Sequence, residues 1–151
     1  MIEFDGSKYY GYVNFGFDSN SNCTFIAKEA LVFLLTCLNQ NWKIPIAYYF
    51  INDISAEEKK NLLLNCISVV QEYNIKVVAV TFDELTTNFT MARLLGANFN
   101  IDCFQTWFYL PNTTDKIFIF LDPSHLLKII RNVLGEKSIM TDANGNTISW
   151  G

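Results

Sequence analysis

Two aspartates end apolar runs of the same design. Asp83 closes "VVAVTFD" and Asp122 closes "IFIFLD". Three residues with basic side chains follow the second: His125, Lys128 and Arg131, in "DPSHLLKIIRN". An aspartate at a strand end has two roles open to it. It can cap the following helix, its oxygen accepting backbone N–H groups. Alternatively, the carboxylate can bind Mg2+, a hard cation that commonly takes only one or two carboxylates from a protein. Two such ions about 4 Å apart activate water and stabilise the leaving oxygen in phosphodiester cleavage. A single aspartate cannot hold that pair.

The stretch after Asp122 also allows two readings. At helical spacing Leu126, Ile129, Ile130, Val133 and Leu134 share one face, while His125, Lys128 and Asn132 share the opposite one, with Arg131 beside it. The polar face can simply be solvated. It can also serve a phosphate or nucleotide near a helix N-terminus, where the dipole favours anions and Lys128 adds a point charge. No GxxxxGK[ST] segment exists, so the chain carries no P-loop. His125 is the single histidine. No serine or cysteine partner is indicated for it, so a catalytic triad is not proposed.

These residues need elements to position them. Residues 8–16, rich in Tyr, Val and Phe, read as a strand, and "DSNSN" as a turn-rich loop. "EALVFLLTCLNQNWKIPIAYYFI" fits a hairpin broken at "NQN", with Pro45 at a sheet edge or strand start. Ser55 and Glu58 form a capping box ahead of a helix over 56–73, with Asn74 able to take a left-handed position. A strand over 76–82 and a helix over 84–95, ended by Gly96, come next. Residues 97–115 read as irregular. A strand over 116–121 precedes a helix over 124–134, with Pro123 in its first turn and Gly135 after its end. "DANGNTISWG" reads as a hairpin-like tail. The fold class is α/β: a mixed sheet with an antiparallel start and a parallel continuation, helices on both faces. In such sheets ligands gather at the carboxyl ends of the parallel strands, which is where Asp83 and Asp122 stand.

Composition narrows the setting. The 151 residues are 50% hydrophobic and 15% aromatic, enough for one domain with a real core and against disorder. No apolar run approaches the roughly 18–20 residues of a membrane span, and no basic segment followed by an apolar one opens the sequence. A cytosolic or nuclear protein without a membrane partner is expected. Cys23, Cys37, Cys66 and Cys103 lack CxxC spacing and a nearby histidine, which argues against zinc. The net charge of −4 disfavours a free-standing nucleic-acid binder, which would carry a basic stripe.

Taken in order, "DGSKYYGYVNFG", "AKEALVFLLTCLNQNWKIPIAYYFI", "EEKKNLLLNCISVVQEYNIKVVAVTFDELTTNFTMARLLG" and "FLDPSHLLKIIRNVL" resemble P-element transposase and the THAP-type transposase-derived proteins. The resemblance runs from about residue 4 to residue 150. Its most specific part is "NWKIPIAYYF" combined with "DPSHLLKIIRN". It implies an RNase H-like fold and metal-dependent DNA strand transfer, interrupted by an inserted GTP-binding domain. Residues 1–121 would then be a partial RNase H-like catalytic domain, and 122–151 the beginning of the insertion. Asp83 would be the second carboxylate of the catalytic triad and a Mg2+ ligand. Lys128 would contact GTP, whereas Asp122 and His125 match the motif without an assigned role. DNA would be engaged through the intact transposase, in the nucleus, with a homo-oligomer or full-length transposase as partner.

The sequence also departs from that pattern. The first catalytic aspartate would lie upstream of residue 1, since Asp5 falls in the later "DG" segment, and the final glutamate would lie beyond residue 151. The usual "CDG" reads "FDE", with Phe82 and Glu84 in place of a small thiol and a glycine. The zinc DNA-binding module is absent from these residues. A transposase-derived fragment without strand transfer of its own is therefore expected. A non-catalytic interaction or interference protein is the alternative.

Overall fold

The computed structural model describes residues 3, 4, 6, 9–15 and 25–149, and of residues 3, 4, 9 and 10 it describes the backbone. Asp5, Cys23, the "DSNSN" loop and the two ends of the expected 8–16 strand lie outside the described residues. The chain forms two compact units, Met1–Lys76 and Val77–Gly151.

In the first unit, β1 (Glu3–Phe4) pairs antiparallel with β2 (Tyr9–Tyr10). The expected strand does not run on unbroken. Gly11 has φ 102, a left-handed conformation that glycine adopts without penalty, and it ends the extended run. Beyond it, Tyr12 bridges Ile26 and Asn14 bridges Phe50. The hairpin expected from the "NQN" break is present as β3 (Glu29–Thr36) and β4 (Lys43–Ile51), paired antiparallel. Its register shifts between Phe33, opposite Ala47, and Leu34, opposite Pro45. A bulge is where a sheet accommodates a proline, which has no N–H to give the ladder.

The first helix, α1 (Ala56–Glu72), begins at the expected capping box. Glu58 N–H donates to Ser55 Oγ (3.2 Å) and Ser55 N–H donates to Glu58 Oε2 (2.9 Å). Asn74, with φ 58, takes the left-handed position after the helix. Leu62 and Cys66 of α1 pack with Tyr49 and Ile51 of β4, flanked by Leu31, Phe33 and Ala47. Each large side chain so buried contributes roughly 1.5–3 kcal/mol as an upper estimate. Tyr49 Oη lies 3.6 Å from Cys66 Sγ, and burial pushes the Cys66 thiol above its ordinary range.

The cap allows a direct check. Ser55→Ala is expected to cost about 1 kcal/mol, read as a lower urea midpoint with an unchanged slope. The Ser55 hydroxyl and amide hold the Glu58 carboxyl below its usual range. A carboxyl lowered by folding stabilises above its unfolded-state pKa and loses that contribution as pH falls through the folded one. The penalty of Ser55→Ala should therefore shrink in acid, and a penalty independent of pH would contradict the box.

The second unit carries the candidate site. A three-stranded sheet has the order β5 (Ala79–Phe82), β7 (Lys116–Leu121), β6 (Trp107–Tyr109). β5 and β7 are parallel, and β6 runs antiparallel to β7. β7 matches its expected bounds, and its pleat is two-faced: Ile117 and Ile119 are buried, Phe118 and Phe120 exposed. β5 is shorter than the expected 76–82 because its ladder with β7 starts at Ala79, opposite Phe118. β6 falls inside the stretch read as irregular. Its Phe108 pairs with Ile117, and both are 1% exposed.

Helix α2 (Thr86–Leu95) begins two residues later than expected and ends, as expected, at Gly96, whose φ is 111. Leu85 stays extended as its N-cap and offers no side-chain hydrogen bond. Helix α3 (Pro123–Lys137) passes through Gly135 instead of stopping before it. A single glycine costs a helix about 1 kcal/mol relative to alanine. The stop comes at Ser138, which has φ 63 and donates its N–H to Leu134 O (2.8 Å). No residue of α3 is buried, and its apolar stripe is partly exposed along its length. The expected tail hairpin is β8 (Ile139–Thr141) with β9 (Thr147–Ser149). Asp142 accepts bonds from the Asn144 and Asn146 amides in the loop between them.

Candidate active site at the carboxyl ends of β5 and β7

Parallel pairing sets Phe82 opposite Leu121, so Asp83 and Asp122 leave neighbouring strands side by side. The backbone confirms the closeness, since Asp122 N–H donates to Phe82 O (2.9 Å). The two aspartates then do different work. Asp122 is the N-cap of α3, its Oδ1 accepting the Ser124 N–H at 2.9 Å. This is the capping role left open for it.

Asp83 is not a comparable cap. Its Oδ1 accepts a 2.6 Å bond from Asn88 Nδ2 and only a long 3.4 Å contact from the Leu85 N–H. Asn88 is the one polar residue buried among the described residues, and it also reaches the Asp83 carbonyl at 3.4 Å. Among the described residues both carboxylate contacts fall on Oδ1, which leaves Oδ2 for a ligand. Asn88 was not singled out from sequence, although a signal existed. It occupies the i position of the i, i+3, i+4 set completed by Met91 and Ala92, the buried face of α2.

Glu84 has turned inward. Its side chain is 10% exposed, and Oε2 lies 2.5 Å from His125 Nδ1. A carboxylate only accepts hydrogen bonds, so this contact calls for the imidazole tautomer that donates from Nδ1. Oε1 is buried and finds no partner among the described residues. Lys128 is exposed one turn further along α3, on the same face as His125. The structure thus brings Asp83, Glu84, Asn88, Asp122 and His125 into one neighbourhood and leaves Lys128 at its rim.

Among the described residues no three His, Cys, Asp or Glu side chains could together hold a metal ion. The donor set fits Mg2+ in a limited sense. Asp83 offers one hard oxygen ligand, and the remaining positions would fall to water or to other groups.

A parallel strand pair that delivers two acids to its carboxyl edge, with an antiparallel strand beyond, makes an α/β domain of the kind whose sites lie at strand ends. The chain belongs to the TNP-like, RNase H N-terminal domain family, whose model matches residues 1–96. The match includes Asp83 and ends before Asp122, His125 and Lys128. Human DNA transposase THAP9 is 28% identical over 149 residues, 96% of this chain and 16% of that protein. The Drosophila melanogaster transposable element P transposase is 27% identical over 120 residues, 78% of this chain and 15% of that protein. The chain therefore spans about one sixth of the length of these relatives. Among solved structures, the Drosophila P element transposase strand transfer complex superposes with a TM-score of 0.74 at 23% identity, covering 99% of this chain and 29% of that one. That likeness shows the fold.

Proposed function

We propose that these residues form part of a metal-dependent DNA strand transferase of the transposase type, with Asp83 as one carboxylate ligand of its catalytic Mg2+. The observation that carries this reading is the placement of Asp83. It stands at the carboxyl end of a parallel strand, with its carboxylate fixed by a buried asparagine instead of being spent on a helix cap. Residues 1–121 then belong to the RNase H-like catalytic domain, and 122–151 begin a GTP-binding insertion. The chain acts on DNA in the nucleus within, or beside, a full-length transposase. One carboxylate cannot assemble a two-metal site. The 151 residues alone, given Mg2+ and transposon-end DNA, are expected to give no strand cleavage, and cleavage under those conditions would overturn the expectation that these residues need further carboxylates to act.

Lys128 serves as a point charge for GTP at the rim of the site. In a titration with labelled GTP, Lys128→Ala should weaken binding at least several-fold. Absence of saturable binding in the unaltered chain would remove GTP from the proposal.

Exposed apolar residues favour a second reading. Val32, Leu34, Tyr48 and Phe50 lie exposed on the β3–β4 hairpin, and Phe118 and Phe120 on the second sheet. An exposed apolar face on either sheet is where other chains dock. A non-catalytic protein that binds full-length transposase and interferes with its assembly would use it. Co-purification with full-length transposase supports that reading, and a monomer without a partner counts against it.

A further inference from the structure

We propose that Glu84, acting through His125, is the positioning residue for the Asp83 carboxylate. The inference rests on the reading of Asp83 as a cation ligand. Three observations carry it. First, Glu84 adjoins Asp83 in sequence, and its bond to His125 spans 41 residues. That bond ties the turn after β5 to the first turn of α3. Second, the other bonds of the turn are local, with Leu85 O accepting the Asn88 and Phe89 amides and Asn88 Nδ2 reaching Asp83. Leu85, the N-cap of α2, makes no side-chain hydrogen bond, and the Asp83 contact to its amide is long at 3.4 Å. Asn88 holds the Asp83 carboxylate from one side, and the Glu84–His125 bond anchors its backbone from the other.

Third, the pair is a poor device for stability alone. Glu84 buries a carboxylate while leaving Oε1 without a donor among the described residues. An interior carboxylate oxygen without a donor opposes folding, and a small uncharged residue would avoid it. What the carboxylate achieves is orientation. Groups that hold a ligating residue from behind commonly change metal affinity by about 10- to 100-fold when removed.

Mn2+ is the probe, because its paramagnetism broadens nearby nuclear resonances even when binding is weak. The single imidazole supplies one unambiguous reporter, its Nδ1 and Nε2 signals in a 15N-labelled chain. In the unaltered protein Nδ1 should be protonated, and Mn2+ should broaden both signals in an Asp83-dependent way, lost in Asp83→Asn. Glu84→Ala should release the fixed tautomer and weaken Mn2+ binding about tenfold. His125→Ala, followed on the backbone amides of residues 83–85, should weaken it equally, and the double variant no further. Glu84→Gln keeps an acceptor for Nδ1–H and should retain most of the affinity. Melting temperatures of Glu84→Ala and Glu84→Gln should stay near that of the unaltered chain, whereas His125→Ala, which strips the interior Glu84 carboxylate of its donor, should melt lower.

If Asp83→Asn abolishes binding but Glu84→Ala and His125→Ala leave it unchanged, the positioning role is wrong and the Asp83 reading stands. Loss of affinity in Glu84→Gln as large as in Glu84→Ala would assign the effect to charge and overturn positioning. Mn2+ binding that is absent, or indifferent to Asp83→Asn, overturns the Asp83 reading and this inference with it.

Discussion

Phe108→Ala is expected to lower the unfolding free energy by about 3–5 kcal/mol, the range for removing a buried aromatic side chain. Phe108 sits in the three-residue strand β6, is 1% exposed, and stands opposite Ile117, which is equally buried. A strand so short has few ladder bonds of its own, so most of its hold on β7 comes from this side chain. The truncation leaves a cavity beside Ile117 that rigid neighbours fill only in part. Because β7 carries Asp122 at its end, loosening β6 should also be felt at the site. Urea unfolding followed by circular dichroism measures the effect. Tyr109→Ala is the control, since Tyr109 is 51% exposed and should change stability by far less. Equal effects at the two positions would mean that β6 does not bury Phe108 as described.

Asn88→Ala comes second, with an expected loss of about 1.5–3 kcal/mol, the range for a hydrogen bond to a charged group. Removing Nδ2 deletes the 2.6 Å bond to Asp83 Oδ1 and leaves that oxygen with the 3.4 Å contact to the Leu85 amide. Asn88→Asp should be worse at neutral pH, because it sets a second carboxylate against the first. The two variants separate packing from electrostatics. Lowering the pH far enough to protonate one acid should narrow the gap between them. If both are as stable as the unaltered chain, Asn88 does not orient Asp83.

The hairpin, the capping box and the edges of β7 were all legible in the sequence, because each is a local pattern with its own period or punctuation. "SAEE" satisfies orphan amides within one turn, and "KIFIFLDP" places a six-residue strand directly before a proline-started helix. Boundaries were less legible wherever a neighbour decides them. The strand expected over 76–82 shortens to the part that β7 pairs, and α2 starts late because Leu85 stays extended. Gly135 did not stop α3, since one glycine is too small a penalty to outweigh continued helical hydrogen bonding to Ser138.

Sequence by itself determined the family, the α/β order, and the two aspartates at the strand ends. These follow from apolar runs that terminate in acids and from motifs contiguous along the chain. Only tertiary structure decided what the two acids do. Parallel pairing brought Asp83 and Asp122 side by side, and then local hydrogen bonds made Asp122 a cap and gave Asp83 to Asn88. Tertiary structure alone also made a strand of residues 107–109 and a partner of Glu84 and His125. The physical reason is the same in each case. A three-residue strand and a bond across 41 residues have no period along the chain, the helical period that buries Asn88 does not name its partner, and the energy of all three comes from groups that meet only after folding.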